Sequence, residues 1–378
     1  MQNFFDKYLP WFILREIPFL GNTLYKKLID RFQSPETVLT ASKAQLESIG
    51  KISTKTLYGL LHHKLFMDQA KIELEQIFKN HIHIVTLNDA FYPALLKHIQ
   101  DPPPFLTYYG TLYKESPCVS IVGSRTATSY GLSTAENLSF KLASKGFQIV
   151  SGLARGIDAM AHKGALRAKG KTIAVLGSGL KKIYPKENES LFHEIAETGT
   201  IFSEFKVNAD PIPGHFPVRN RIIAGLSCGS VVVEAAKRSG SLITARLASE
   251  YNREVFAVPG SIKSRKSEGT HSLLKQGAKL VETEMDIIDE LHHFIHEKKE
   301  TSPQVPLESP ESLSYPGRFQ DRPRILNFLE PYPVHIDIII EKSGMTSSEV
   351  ASQLLDLELE GLVNRHQGNC YSISEDYH

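Results

Sequence analysis

The residues best suited to chemistry in this chain stand in short turns that combine glycine with a hydroxyl or an arginine. The first turn is Gly123-Ser124-Arg125, which follows an apolar stretch and precedes a helical one. Glycine lets the backbone approach an anion closely, and the start of a helix presents unpaired N–H groups. Ser124 adds a hydroxyl donor, and Arg125 adds a planar, permanently charged group that suits phosphate. A plain strand-to-helix turn with a surface arginine explains this one motif equally well. Other segments of the sequence are needed to distinguish an anion-binding turn from a structural one.

A second turn of the same kind runs from Ser151 to Asp158, again between a predicted strand and a predicted helix. Two such turns at the carboxyl ends of adjacent parallel strands would converge on one crevice, where open sheets bind ligands. Asp158 is expected to cap the following helix, and His162 is expected to be a structural histidine rather than a catalytic one. The candidate binding residues of this turn are Ser151, Gly152, Arg155 and Gly156.

Two later segments add further groups that can bind an anion. In the first, two arginines bracket an asparagine at the predicted start of a helix, which suits phosphate and base edges together. In the second, three hydroxyls surround a glycine, and ordinary helix capping is the alternative explanation. An aromatic residue in the first segment is a candidate for stacking on a base. The candidates are Phe216, Arg219, Asn220 and Arg221 in the first segment, and Ser239, Gly240, Ser241 and Thr244 in the second.

Strand and helix patterns alternate between about residues 118 and 258, which predicts a Rossmann-like, doubly wound, mostly parallel α/β sheet. Before it, the apolar spacing is helical, and glycine turns at Gly21 and Gly50 indicate either a helix-hairpin-helix (SAM-like) domain or a plain bundle. The predicted organisation is a helical domain (1–78), the Rossmann-like domain (79–296), a proline-rich linker (297–322) and a winged-helix module (323–378).

The C-terminal module is predicted from helices followed by a hairpin, the winged-helix pattern. Such modules often enter the major groove of DNA. Here the expected recognition helix, 347–360, carries Glu349, Asp356, Glu358 and Glu360 and no lysine or arginine. An acidic helix would repel the phosphates, so a transcription regulator is disfavoured, and the module is expected to contact a protein, or nothing, rather than duplex DNA.

Composition limits the classes of function that remain. The net charge is +1, so an anion site must come from a local cluster and not from a global basic field. The three cysteines, Cys118, Cys228 and Cys370, are widely spaced, which favours a reducing compartment and no metal or disulfide framework. We see no signal peptide and no apolar run long enough to span a membrane, so a cytoplasmic location is expected. No hydrolase, P-loop or metal motif is present, and we expect no catalytic residues, no cofactor and no metal.

Several of these segments match a known pattern in order. They read SGLARGID (151–158), FPVRNRIIAGLS (216–227), VVVEA (231–235), SGSLITA (239–245) and REVFAVPG (253–260). Together they resemble the DNA-processing protein A (DprA, also called Smf) family over about residues 80–290. The flanking helical and winged-helix regions are similar to accessory domains that many members carry.

The resemblance implies a single-stranded DNA-binding protein of natural transformation that protects incoming DNA and loads the RecA recombinase. It also implies a homodimer that pairs through the Rossmann-like domain, and no enzymatic activity. The family's phosphate pocket would fall on Gly123, Ser124 and Arg125, supported by the 219–221 loop and the 239–244 turn. Some members place a lysine shortly before the Phe-Pro pair, where this chain has Pro213 to His215.

The alternative is a Rossmann nucleotide hydrolase of the lysine-decarboxylase-like ("lonely guy") type. The stretch that corresponds to that signature, Val233 to Thr244, lacks its glycine pair and its catalytic glutamate. Glu204 and Glu234 end strands near the predicted crevice, which leaves an acid–base role open at this point.

Overall fold

The structure is a computed structural model. It describes residues 2–113, 116–296, 325, 328, 329, 334–359, 362–366 and 369–373. The chain divides into two compact units, 1–302 and 303–378, and each is described by itself. The predicted linker, 297–322, lies outside the described residues.

Helices dominate the N-terminal part, as the apolar spacing predicts. Gly21 caps α2, and Gly50, with a φ of +111°, lies between α4 and α5, so both glycine turns do precede helices. The α-helices of this part are α1 (Gln2–Glu16), α2 (Asn22–Phe32), α3 (Pro35–Thr40), α4 (Lys43–Glu47), α5 (Thr54–Leu61) and α6 (Met67–Lys79).

The helical part and the sheet share one core. The ring of Phe12 on α1 stacks on that of Phe105, with 4.3 Å between centroids. The Arg15 guanidinium is buried against both rings and pairs with Glu73 at 3.7 Å. Glu73 in turn accepts a hydrogen bond from the backbone N–H of Val207 at 2.7 Å. The two predicted N-terminal domains therefore pack into a single compact unit.

A nine-stranded sheet forms the centre of this unit, in the order β1-β2-β6-β5-β4-β3-β7-β8-β9. The strands from β3 to β9 are parallel to their neighbours, and β1 and β2 add an antiparallel edge. The strands are β1 (His83–Thr86), β2 (Phe105–Gly110), β3 (Cys118–Gly123), β4 (Gln148–Ser151), β5 (Thr172–Val175), β6 (Thr200–Ser203), β7 (Gly229–Val233), β8 (Glu254–Ala257) and β9 (Lys279–Leu280).

The predicted doubly wound, mostly parallel sheet is confirmed, and its strand order fixes where a ligand belongs. From β3 the chain adds β4, β5 and β6 on one side, and then places β7 and β8 on the other side of β3. The order therefore reverses between β3 and β7, and a crevice opens at their carboxyl ends. The connecting helices are α7 (Ala94–Lys97), α8 (Ser129–Ser144), α9 (Ile157–Arg167), α10 (Glu189–Thr198), α11 (His215–Leu226), α12 (Ser241–Glu250), α13 (Glu268–Lys275) and α14 (Glu284–His296).

One helix boundary differs from the prediction in a way that matters for the site. Helix α11 begins at His215, whereas the sequence suggests a start at about Asn220. Pro217 does not delay the helix, because a residue of the first turn has no intrahelical use for an N–H group. Arg219, Asn220 and Arg221 are therefore inside the helix and not at its start.

The second unit has the predicted winged-helix arrangement. Two helices, α15 (Ile336–Ser343) and α16 (Ser347–Leu359), join a three-stranded sheet in the order β10-β12-β11. Its strands are β10 (Val334–His335), β11 (Val363–His366) and β12 (Cys370–Ile373). A small apolar core that includes Ile339, Leu354 and Tyr371 holds them together.

Candidate functional site

A cleft of about 570 Å³ lies at the carboxyl edge of the sheet, at the switch between β3 and β7. It gathers most of the residues predicted from the glycine turns. Those on its wall are Gly123, Ser124, Arg125, Phe216, Arg219, Asn220, Ser239, Gly240, Ser241 and Thr244. The prediction that separate turns converge on one crevice therefore describes the geometry correctly.

The first turn is held rigidly by the end of β7. A Cβ atom at Gly123 would collide with the carbonyl oxygen of Val233 and would lie 2.7 Å from Ile157, so only glycine fits here. The backbone N–H of Ser124 donates to the carbonyl oxygen of Glu234 at 2.9 Å. The Ser124 hydroxyl accepts from the N–H of Thr126 at 3.2 Å. These contacts fix the direction in which the next side chain, Arg125, leaves the turn.

The second turn supports the first, and of its residues only Ala154 and Asp158 line the cleft. Gly156, with a φ of +72°, packs against the backbone of Ser124 and Arg125, and a Cβ atom there would overlap it. Gly152 is buried beneath the guanidinium of Arg219. Ser151 is buried, and its hydroxyl donates to the carbonyl of Ile121 at 2.7 Å. The predicted ligand contacts of Ser151, Gly152 and Gly156 are corrected to structural roles, because Ser151 and Gly152 are buried and Gly156 packs against the first turn outside the cleft wall.

Arg155, the fourth candidate of this turn, also lies off the cleft wall. Its side chain is 59% exposed and forms a salt bridge with Glu187. An exposed pair of this kind contributes little to stability. A ligand that binds Arg155 would have to displace Glu187, and this would cost little free energy.

Asp158 and His162 organise the backbone of the second turn. The Asp158 carboxylate accepts from the N–H of Gly152 at 3.1 Å instead of capping its own helix, for which no side-chain cap is formed. The Nε2 atom of His162 accepts from the N–H of Leu153, and Nδ1 bonds to the Thr172 hydroxyl at 2.7 Å. Burial lowers the pKa of His162 to about 3, so this imidazole is neutral and structural.

Arg125 is an exposed cation on the cleft wall. Its guanidinium lies over the ring of Phe216, 5.0 Å from the centroid, and it forms no salt bridge within the described residues. The half-buried Phe216 ring faces Tyr184, whose side chain is 43% exposed, at 5.8 Å. An unpaired arginine beside two aromatic rings can contact a phosphate and a flat base at once.

Arg219 forms the floor of the same cleft and has protein partners. Its Nη1 atom donates to the carbonyl of Gly152 at 2.8 Å and to that of Val175. Burial lowers the pKa of Arg219 to about 10, while Asp158 opposes this shift, so the group remains charged at neutral pH. It lends positive potential to the cleft, while its Nη1 atom is already engaged by the two carbonyls.

Arg221 is a wrong prediction as a ligand contact. It lies outside the cleft wall, is 6% exposed, and pairs with Glu204 and, at 3.3 Å, with Asp101. It stands two positions after Arg219 on α11, about 200° around the helix, so its side chain points towards a different part of the interior. Burial raises the pKa of the Glu204 carboxyl, and Arg221 opposes that shift.

The third wall of the cleft is the start of α12. The hydroxyls of Ser239 and Ser241 bond to one another at 2.8 Å, and the amide of Asn220 donates to the carbonyl of Gly240 at 3.3 Å. Asn220 therefore ties α11 to this turn. Thr244 lies one turn on and is buried.

Sequence reasoning missed Arg238, an exposed arginine on the same wall. It directly precedes the Ser239-Gly240 turn, and it forms no salt bridge within the described part of the chain. The signal was present, because the other turns also place an arginine next to their small residues.

The two carboxylates left open as acid–base candidates both have partners. Glu234 accepts hydrogen bonds from the backbone N–H of Thr128, at 2.9 Å, and from its hydroxyl. Glu204 pairs with Arg221, as described above. Neither carboxylate belongs to the cleft wall.

Comparison with known proteins assigns the chain to a family. The family profile described as DNA recombination-mediator protein A matches residues 83–292, and that of the DprA winged helix domain matches residues 309–369. The chain belongs to the DNA-processing protein A (DprA/Smf) family. Protein Smf of Synechocystis sp. is 33% identical over 388 residues, which cover 96% of this chain and 97% of that protein. Protein Smf of Escherichia coli is 42% identical over 286 residues, 75% of each chain.

Solved structures of the family show the same fold. The crystal structure of DNA processing protein A from Streptococcus pneumoniae has a TM-score of 0.66 and 36% identity, and it covers 74% of this chain and 96% of that one. A structure that describes the single-stranded DNA binding mode of the Helicobacter pylori protein has a TM-score of 0.51 and 33% identity, and it covers 56% of this chain and 97% of that one. Among the described residues, no helix is both long and apolar enough to cross a membrane.

Proposed function

We propose that this protein binds single-stranded DNA in the β3–β7 cleft and handles the strand without cutting it. The observation that carries the proposal is the pair of exposed arginines on the cleft wall, Arg125 and Arg238, neither of which has a salt-bridge partner within the described residues. Unpaired arginines in a concave site suit a phosphate backbone. The Helicobacter pylori relative, whose structure describes a single-stranded DNA binding mode, supports the choice of ligand.

The proposed binding mode combines phosphate contacts with stacking. Arg125 and Arg238 would neutralise phosphates. Phe216 and Tyr184 would stack on bases, which every nucleotide permits, so binding should depend little on sequence. A duplex hides its base faces, and the aromatic pair therefore favours a single strand.

The protein is proposed to act without catalysis. Glu204 and Glu234 are held by Arg221 and Thr128, and the neutral, buried His162 is held by Leu153 and Thr172. A nucleotide hydrolase would need a carboxylate directed into the cleft. The Asp158 carboxylate on the cleft wall is occupied by backbone N–H groups and by Arg219.

The biological role that we propose is the one that the resemblance implies: protection of incoming strands in natural transformation and delivery of those strands to the RecA recombinase. We also propose a homodimer that pairs through the Rossmann-like domain. The sheet ends at β9, a two-residue edge strand where Leu280 is 47% exposed, and an open edge of this kind suits pairing with a second copy.

The proposal is tested by titrating labelled single-stranded and double-stranded DNA of equal length with the full chain, and by assaying nucleotide hydrolysis in parallel. We expect tighter binding of the single strand, with similar affinity for unrelated sequences and no hydrolysis. Tighter binding of the duplex, or turnover of a nucleotide, would contradict the proposal.

A further inference from the structure

The loop that follows β8 carries an exposed apolar residue among unpaired cations. Ile262 is 90% exposed, the highest exposure of any large hydrophobic residue that the structure describes. Lys263 and Arg265 stand on its C-terminal side, both are exposed, and neither forms a salt bridge within the described residues. We call residues 261–266 the β8 loop. The loop therefore presents two positive charges without carboxylate partners beside an exposed apolar side chain.

The β8 loop is fixed against the turn that carries Arg125. The Lys266 ammonium donates to the carbonyl oxygen of Thr126, the residue directly after Arg125. The Tyr130 hydroxyl donates to the carbonyl of Pro259 at 3.0 Å, and His271 bonds to that of Gly260 at 3.0 Å. These contacts at both ends hold the loop next to the cleft.

The strand order places the β8 loop on the same edge as the cleft. Strand β8 is the neighbour of β7 on the side away from β3, and the three strands run parallel. Their carboxyl ends therefore share one edge, and β8 ends about 10 Å from β3, at two strand spacings. Tyr184 follows β5, on the other side of β3. The edge thus offers a continuous path from Tyr184, past Arg125, to Ile262.

We propose that the β8 loop extends the DNA-binding surface beyond the cleft. In this arrangement Lys263 and Arg265 contact phosphates of nucleotides that have left the cleft, and Ile262 packs on a base face. Cations without carboxylate partners suit phosphate, and an exposed aliphatic residue can wedge against a base. This inference rests on the proposed function, since it names a second contact region for the same strand.

The extension is reached only by a strand that is longer than the cleft. The test therefore compares two oligothymidylates. The short one has about 6 nucleotides, which lies within the usual site size of one single-strand-binding domain, and the long one has about 20 nucleotides, which exceeds that size. The variant is Lys263→Ala with Arg265→Ala, and Lys266 is kept because it anchors the loop. A matched control removes two exposed lysines of α6, Lys71→Ala with Lys79→Ala.

The double variant should bind the long strand roughly 10-fold more weakly, with a salt dependence flatter by about 0.7 for each lost contact. It should bind the short strand as the unchanged protein does, and the control should bind both normally. Ile262→Ser should weaken only the long strand, by a smaller factor. Unchanged affinity for the long strand, or equal losses for both lengths, would overturn the extension. If the unchanged protein binds neither strand, the proposed function itself fails, and the extension fails with it.

Discussion

Two pairs of arginines stand close to the same cleft, and they differ in burial and in partners. Arg125 and Arg238 on the rim are exposed and have no salt bridge within the described residues. Arg219 and Arg221 beneath them are 3% and 6% exposed and bond to backbone carbonyls or to carboxylates. The comparison teaches that an arginine beside a glycine turn can either bind a ligand or hold the fold, and that burial and partners decide which.

The difference has a direct physical origin. A guanidinium taken out of water must find acceptors, because an unpaired buried charge is very unfavourable. Arg221 meets this need with Glu204 and Asp101. Arg125 stays hydrated and only rests on the face of Phe216, so its donors remain available to an incoming phosphate.

The largest effect is expected from Arg221→Ala. This change leaves the buried Glu204 without its charge partner, so the free energy of unfolding should fall by about 3–5 kcal/mol. Urea denaturation measures it. Binding of single-stranded DNA by the folded fraction should change little, because Arg221 lies outside the cleft wall.

The loss of unfolding free energy in Arg221→Ala is also expected to depend on pH. Burial already raises the pKa of Glu204 in the folded protein, and removing Arg221 should raise it further. A carboxyl whose pKa is higher in the folded than in the unfolded chain destabilises the folded state when it is ionised. This destabilisation is full above the folded pKa and decreases as the pH falls towards the pKa of the unfolded chain. The loss should therefore be smaller at pH 5 than at pH 8. A loss that is independent of pH, or that grows in acid, would contradict the role assigned to this pair.

The next effect is expected from Arg125→Ala. It should weaken binding of single strands roughly tenfold, since a charge-assisted contact is lost. The slope of affinity against salt should flatten by about one unit, and the loss should be similar for unrelated sequences. Fluorescence anisotropy over a salt series measures both quantities. Stability should stay within about 0.5 kcal/mol of the unchanged protein, as for other exposed sites.

Arg31→Ala is the matched control, because it removes one exposed arginine from α2 in the helical part. It should leave affinity and salt slope unchanged. If Arg31→Ala weakens binding as much as Arg125→Ala does, the effect belongs to net charge and not to the cleft.

A smaller effect is expected from Arg125→Lys. The charge is kept, but the planar group that lies over Phe216 and can grip phosphate with two donors is lost. Binding should weaken by about 0.5–1 kcal/mol, the range of a partly exposed cation–π contact. The salt slope should stay as in the unchanged protein, because the number of neutralised phosphates is the same. A slope as flat as that of Arg125→Ala would show that lysine does not reach the phosphate.

The smallest effect is expected from ending the chain at about residue 300. The winged-helix module carries an acidic helix, α16, with Glu349, Asp356 and Glu358 and no lysine or arginine. Affinity for single strands should therefore be nearly unchanged in the shortened chain, as measured by gel shift. Loss of most of the affinity would show that the module is a main binding site, and it would contradict the assignment of the β3–β7 cleft as the main site.

Most of the fold could be predicted from local patterns. Each buried strand that ends in a small residue, such as Gly123 or Ser151, gave the position of a turn at the carboxyl edge. Strand β9 was missed because it has only two residues, and α14 was missed although Thr283 and Asp286 form a capping pair at its start. A strand as short as β9 is defined by its neighbours and not by its own periodicity.

The site was predicted less well, because the residues that determine the role of each arginine lie far from it in the sequence. The partners of Arg221 are Asp101 and Glu204, which no local pattern links to α11. The start of that helix at His215 also changes which way its arginines point. Arg238 was overlooked because it precedes its turn. Residue types therefore indicated an anion site, while the choice among arginines required the structure.

The most direct test of the central claim is to map the protein contacts of a bound single strand. Oligothymidylate that contains 4-thiothymidine is crosslinked to the full chain with ultraviolet light, and the crosslinked peptides are identified by mass spectrometry. We expect crosslinks around Arg125, Tyr184, Phe216 and Arg238, all at the carboxyl edge of the sheet. Crosslinks confined to the winged-helix module, or to the helical part, would contradict the assignment of the β3–β7 cleft as the binding site.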